Sequence, residues 1–198
     1  MIELLAITDD TAPAGPPLRI VRAGELAVVV APASSEDEVD ADALWRREAL
    51  IEDLMEQRAL LPVRYGTLVE DDAAAAEVVA GRGEALAGAL RRVRGAVELS
   101  VRAIAPGRPD EGSPGDRVRA RSAHERTAAA LHERLAAAAR EQARHDGREL
   151  LRAAYLVDRA EVGRFVSLVR GLQVEHRELS IVCTGPWPPY SFAELEGA

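Results

Sequence analysis

The sequence predicts an α+β fold of two small domains, each a mostly antiparallel sheet backed by helices. Three observations predict it. Strand-like runs and helical stretches alternate irregularly, and a hairpin pattern stands beside crossovers. The length of 198 residues suits one large domain or two small ones. Residues 106–116, PGRPDEGSPGD, hold three prolines and three glycines, the strongest linker composition in the chain. A first domain at 1–105, a linker at 106–116 and a second domain at 117–198 follow.

Residues 1–7 form an apolar run stopped by Thr8-Asp9-Asp10, a first strand. TAPAGPP (11–17) is a loop. LRIVRAGELAVVVAPA splits at Ala23-Gly24 into the two strands of a hairpin. The acidic stretch SSEDEVDAD supplies capping residues ahead of a helix over 41–58, where Leu44, Leu50, Ile51, Leu54 and Met55 roughly keep the helical period. Leu61-Pro62 ends it, since a residue before proline avoids helical geometry. Residues 63–65 are extended, and two helical stretches break around Gly81-Arg82-Gly83. GAVELSVRAI is a strand with Val97, Leu99, Val101 and Ala103 on one face and Glu98, Ser100 and Arg102 on the other. Beyond the linker, an alanine- and arginine-rich helix is expected over 118–144, with Ala128, Leu131, Leu135 and Ala138 as its thin apolar stripe. LLRAAYLVD is a buried strand, EVGRFVSLVRGL a helix, and HRELSIVCTG a last strand.

Composition narrows the function. With 47% hydrophobic and 29% charged residues the chain can build a core, so global disorder is excluded. A net charge of -8 repels phosphate backbones and argues against nucleic acid. All 25 basic residues are arginine, which removes Schiff-base chemistry and the P-loop lysine. The single cysteine excludes an internal disulfide. The start, MIELLAITDD, has no charged leader, and no apolar run reaches bilayer length, so a soluble, cytoplasmic protein without a lipid-membrane partner is expected.

No catalytic set emerges, and a non-enzyme without cofactor or metal is expected. His124 and His132 each precede Glu-Arg, but the residues four further on are Ala128 and Ala136, so the zinc-protease spacing is absent. Cys183 sits in an apolar strand, where a buried thiol stays protonated. GRGEALAG has no strand before it and reads as a helix break. Asp71-Asp72 reads as a helix cap.

Two stretches stand out. In LLPVRYGT, Arg64 lies in an apolar run between Pro62 and the Tyr65-Gly66 turn; a buried guanidinium there needs a carboxylate or carbonyls, and Glu98 is a candidate. TGPWPPYSF (184–192) holds three of the seven aromatic residues among three prolines, in a pattern expected to be neither helix nor ordinary strand. Pro186, Pro188 and Pro189 stiffen it, so little entropy is lost in ordering Trp187, Tyr190 and Phe192. It suits either a polyproline ligand for another protein or a strap folded back to clamp the two domains, packing on the first.

Taken together, LLPVRYGT (60–67), VELSV (97–101), AAYLVD (153–158) and TGPWPPYSF (184–192) resemble the gas vesicle GvpL/GvpF family, in the family's order and over nearly the whole chain. The resemblance implies two α+β domains, the second a modified ferredoxin-like unit. It implies a gas vesicle-associated accessory protein without enzymatic activity, with the small hydrophobic shell protein GvpA and other Gvp accessory proteins as partners. Pro62, Arg64, Tyr65, Gly66, Glu98, Gly185, Pro186, Trp187, Pro188, Pro189, Tyr190 and Phe192 carry the motifs, as structural or partner-binding residues. One departure stands out. Arg117 and Val118, in PGDRVRARSA, replace an aromatic–leucine pair, which leaves a strand or an immediate helix open at the start of the second domain. A small-molecule-binding regulatory domain and an enzyme of unfamiliar type are the competing readings.

Overall fold

The computed structural model describes residues 1–12, 14–33, 41–106 and 113–193. The expected capping segment before the first helix (34–40) and most of the expected linker (107–112) lie outside the described residues.

The chain forms two compact units. Met1–Gly95 and the residues from Pro188 onward make the first; Ala96–Trp187 makes the second. This differs from the expected division at 106–116. Proline and glycine there follow a strand, Ala96–Ile104, that itself belongs to the second sheet. Proline and glycine content says nothing about which sheet claims the strand before it.

The first unit begins with β1 (Ile2–Thr8), then the hairpin β2 (Arg19–Ala23) and β3 (Leu26–Pro32). Gly24, in the two-residue turn between Ala23 and Leu26, has φ +69°, a conformation glycine adopts freely. α1 (Ala41–Gln57) follows, then the two-residue strands β4 (Leu61–Pro62) and β5 (Leu68–Val69). α2 (Asp72–Ala80) and α3 (Gly83–Val93) complete the run. The sheet order is β2-β3-β1-β4, with β5 also on β1 and every pair antiparallel. Leu4 to Ile7 and Leu26 to Val30 are buried without a break, so both faces of these strands are covered. Asp71 caps α2 by accepting from the Ala74 amide at 2.9 Å.

The second unit opens with β6 (Ala96–Ile104) and crosses to α4 (Pro114–Ala136). β7 (Glu141–Arg144) and β8 (Leu151–Asp158) form a hairpin, followed by α5 (Val162–Glu175) and β9 (Ser180–Trp187). The order β7-β8-β6-β9, all antiparallel, with helices after the first and third strands, is a split β-α-β arrangement. The opening strand is therefore β6, which precedes the linker composition. Leu99, Val101 and Ala103 of β6 pack with Tyr155, Val157, Leu131, Leu135, Phe165 and Val169 in its core. The Tyr155 and Phe165 rings meet at 5.4 Å, tilted by 48°.

Two expectations need correction here. The helix expected over 118–144 runs instead from Pro114 to Ala136. It starts earlier because Ser113 and Asp116 form a capping box and proline is tolerated in the first turn. It stops earlier because Glu141–Arg144 pairs with β8, and tertiary pairing overrides the helical preference of an alanine-rich run. The tail is the second. TGPW belongs to β9, and Tyr190–Ala193 is a single helical turn, α6. Trp187 faces Glu98 and Thr184 faces Ser100, so Gly185 and Pro186 together oppose one residue of β6. Such a bulge accommodates a proline that cannot donate to the ladder. Pro188 and Pro189 then lead the helical turn, the position where proline fits.

His132 shows how the second core handles a polar group. Its Nδ1 lies 2.8 Å from the hydroxyl of the fully buried Tyr155. Burial first, and the charge of Arg144 second, hold the His132 pKa below its ordinary value, so folding favours the neutral ring. The stability this gives is complete above the unfolded value of about 6.5 and is lost as pH falls from there through the lowered folded value. Thermal midpoints measured from pH 8 to pH 5 are expected to fall less in His132→Gln than in the parent protein. Parallel curves would show that this ring does not carry the dependence.

Candidate functional site

The charged centre of the first unit is Arg47, on α1. Its side chain is only 4% exposed, and its place in the stripe with Ile51, Leu54 and Met55 puts it on the buried face of the helix. A guanidinium held there must spend its donors on the protein. Nε donates to Glu3 Oε1 at 2.9 Å. Nη1 donates to the Tyr190 hydroxyl at 3.1 Å and stands 3.5 Å from Glu48 Oε1. Nη2 donates to the carbonyls of Leu4 and Val63. The guanidinium carbon also lies 5.6 Å from the centre of the Tyr65 ring, within reach of a cation–π contact.

The partners are themselves tied down. Tyr190 donates to Glu48 Oε1 at 2.8 Å, and the Gly66 amide donates to Glu3 Oε1 at 3.3 Å. Burial first, then the hydrogen bond to Glu48 and its charge, push the Tyr190 pKa above its ordinary value and keep the phenol protonated. Gly66, at φ +75°, makes the turn that aims its amide at Glu3. Around this network lies a cleft of about 470 Å³ lined by Pro62, Arg64, Tyr65, Tyr190 and Ala193.

The singled-out residues are placed here within their own units. Pro62, Arg64, Tyr65 and Gly66 gather with Tyr190 at Arg47, and in the same unit Pro188, Pro189 and Phe192 are buried. Glu98, Gly185, Pro186 and Trp187 lie together in the second unit, where β9 crosses the start of β6. Glu98 is 6% exposed, against the expectation of a polar outer face. Arg64 is exposed rather than buried, and in the first unit Arg47 is a buried guanidinium that spends its donors on carboxylates and carbonyls. Sequence reasoning missed Arg47, Glu3 and Glu48. The available signal was helical: Arg47 stands four residues before Ile51 and seven before Leu54.

The network is fitted to hold two chain segments together. Burial pushes the Cys183 thiol up, away from a reactive thiolate. Among the described residues no group of three or more His, Cys, Asp or Glu is placed to hold a metal ion, and no helix is long and apolar enough to cross a membrane.

Comparison with known proteins agrees across both units. A family model described as "Gas vesicle synthesis protein GvpL/GvpF" matches residues 5–113 and 115–194. Gas vesicle protein F1 of Halobacterium salinarum is 27% identical over 164 residues, covering 83% of this chain and 72% of the relative. Gas vesicle protein L of a Streptomyces species is 30% identical, covering 91% of this chain and 85% of the relative. Among solved structures, GvpF of Microcystis aeruginosa shares the fold with a TM-score of 0.85 at 16% identity, over 98% of this chain and 99% of that one. GvpF of Anabaena gives 0.79 at 17% identity, over 98% of each chain. With two antiparallel sheets backed by helices and a family match spanning both, the chain belongs to the gas vesicle synthesis protein GvpL/GvpF family and has a gas vesicle-related role.

Proposed function

We propose that this chain is a non-enzymatic, cytoplasmic accessory protein of gas vesicle assembly that binds the hydrophobic shell protein GvpA, alone or with other Gvp accessory proteins, and associates with the growing shell. The family match over residues 5–113 and 115–194 carries this reading. Physical reasoning supports it. A gas-filled shell requires subunits with an apolar face, which aggregate unless a soluble partner covers that face before assembly. An acidic chain, at -8, stays dispersed while doing so. At the Arg47 network the donors are spent on internal carboxylates, a phenol and carbonyls, which suits a fixed scaffold.

The docking element in this reading is α4. Val118 is 67% exposed, and Ala123, Ala129 and Ala130 are exposed as well, so a partner helix can approach closely. Arg64 and Tyr65, on the rim of the first cleft, are proposed partner-facing residues; the remaining motif residues hold the scaffold within their own units, with Tyr190 of the proline-rich tail tied to Arg47 and Glu48.

In a pull-down the purified protein is expected to retain soluble GvpA from the same organism. The Val118→Glu/Ala129→Glu variant should retain at least ten-fold less at an unchanged thermal midpoint. Equal retention by the variant would rule out α4 as the docking element. No retention by the parent protein, with both partners folded, would overturn the reading itself.

A further inference from the structure

The second unit holds a cleft of about 450 Å³ between the end of β6, α4, the end of β7 and the loop before β8. Its polar lining is Arg121, His124, Glu125, Arg144, Arg148 and Glu149, with Ala128 and Leu150 among its apolar residues. Charge is divided unevenly along the chain. Residues 96–187 carry 15 arginines against 13 acidic residues, a balance of +2, so the rest of the chain carries -10 of the total -8.

Within the cleft the two carboxylates are already matched. Glu125 stands 3.6 Å from Arg121. Glu149 pairs with Arg102, and its own backbone amide first, then Arg102, hold its pKa below the ordinary value. The guanidiniums of Arg144 and Arg148 make no side-chain hydrogen bond or ion pair among the described residues. Both are exposed, and His124 lines the same cleft. Two uncommitted guanidiniums lining one cleft match the charge and the multiple acceptor oxygens of a phosphate dianion better than a single carboxylate. The volume lies in the range of small-molecule sites.

We propose that this cleft binds a phosphate-bearing small molecule, its phosphate held by Arg144 and Arg148 and its remainder resting on Ala128 and Leu150. The inference goes beyond the assembly role and does not depend on it. Titration calorimetry on the full chain at fixed ionic strength tests it with ATP, pyrophosphate and citrate as probes. Saturable binding of ATP, one per chain, is expected, with affinity reduced at least ten-fold in Arg144→Gln/Arg148→Gln and unchanged in Arg164→Gln, a remote exposed arginine. Pyrophosphate is expected to bind more weakly than ATP; equal affinity would remove the apolar part of the site. Citrate binding as tightly as ATP would overturn the phosphate assignment. Absence of saturable ATP binding, or equal affinity in the double variant, would overturn the site.

Discussion

Arg47→Met is expected to lower the unfolding free energy by about 3 kcal/mol, near the lower end of what removing one partner of a buried ion pair costs. Methionine fills much of the same volume, so little of the loss comes from a cavity. The cost lies in what is left behind. Glu3 and Glu48, 17% and 24% exposed, lose their countercharge, and the Leu4 and Val63 carbonyls lose a donor. Partial exposure of both carboxylates lets water take over some of that role, which is why the higher figures for fully buried pairs do not apply. For a chain of this size the loss corresponds to a fall of roughly 6–12 °C in the thermal midpoint. Urea unfolding measures it, and amide exchange in β1 and β4 localises it. Adding Glu3→Gln should recover about 1 kcal/mol, because it removes one stranded charge. A single-variant loss below about 1 kcal/mol would mean that the network does not hold the first unit together.

That network also marks the limit of reading the chain from its sequence. Arg64 attracted notice because its neighbours in sequence are apolar, yet a residue in a turn after a two-residue strand points outward as readily as inward. Arg47 is flanked in sequence by Arg46 and Glu48 and looks solvated; only its place four residues before Ile51 puts it inside. Burial on a helix follows the 3.6-residue period, whereas the eye follows the chain. β1, the β2–β3 hairpin, α1, β6, β8 and α5 were legible because each carries enough residues for a period to repeat. β4 and β5, two residues each, exist only through their pairing with β1. β7 was hidden for a different reason: Glu141–Arg144 follows an alanine-rich helix, and its strand character comes from the facing β8. The gathering of LLPVRYGT and PPYSF at one site was not legible either, because a contact over more than a hundred residues leaves no local signal.

Gly185→Ala is the second change with a large expected effect, and it tests the tail on the side of the second unit. Gly185 has φ +117°, a conformation that residues with a side chain rarely adopt, at a cost of about 1–3 kcal/mol. Space is lacking as well. A Cβ at this position would stand 2.7 Å from the backbone oxygen of Glu98, 3.0 Å from Leu99 Cδ2 and 3.2 Å from Trp187 Cδ1. The Leu99 and Trp187 side chains can shift, but the Glu98 oxygen belongs to β6, which is held between β8 and β9. Relief must therefore come from β9, and moving it opens the pairing of Trp187 with Glu98 that carries the chain into Pro188. Strain and displacement together give an expected loss of about 3 kcal/mol, with amide protection falling first in β9 and the start of β6. Gly171→Ala is the matched control. It lies inside α5 with nothing within 4 Å of the added carbon, so it should stabilise by about 0.5–1 kcal/mol. If Gly185→Ala proves neutral, the bulge at Gly185-Pro186 does not fix the tail, and its anchor is Tyr190 on Arg47 and Glu48.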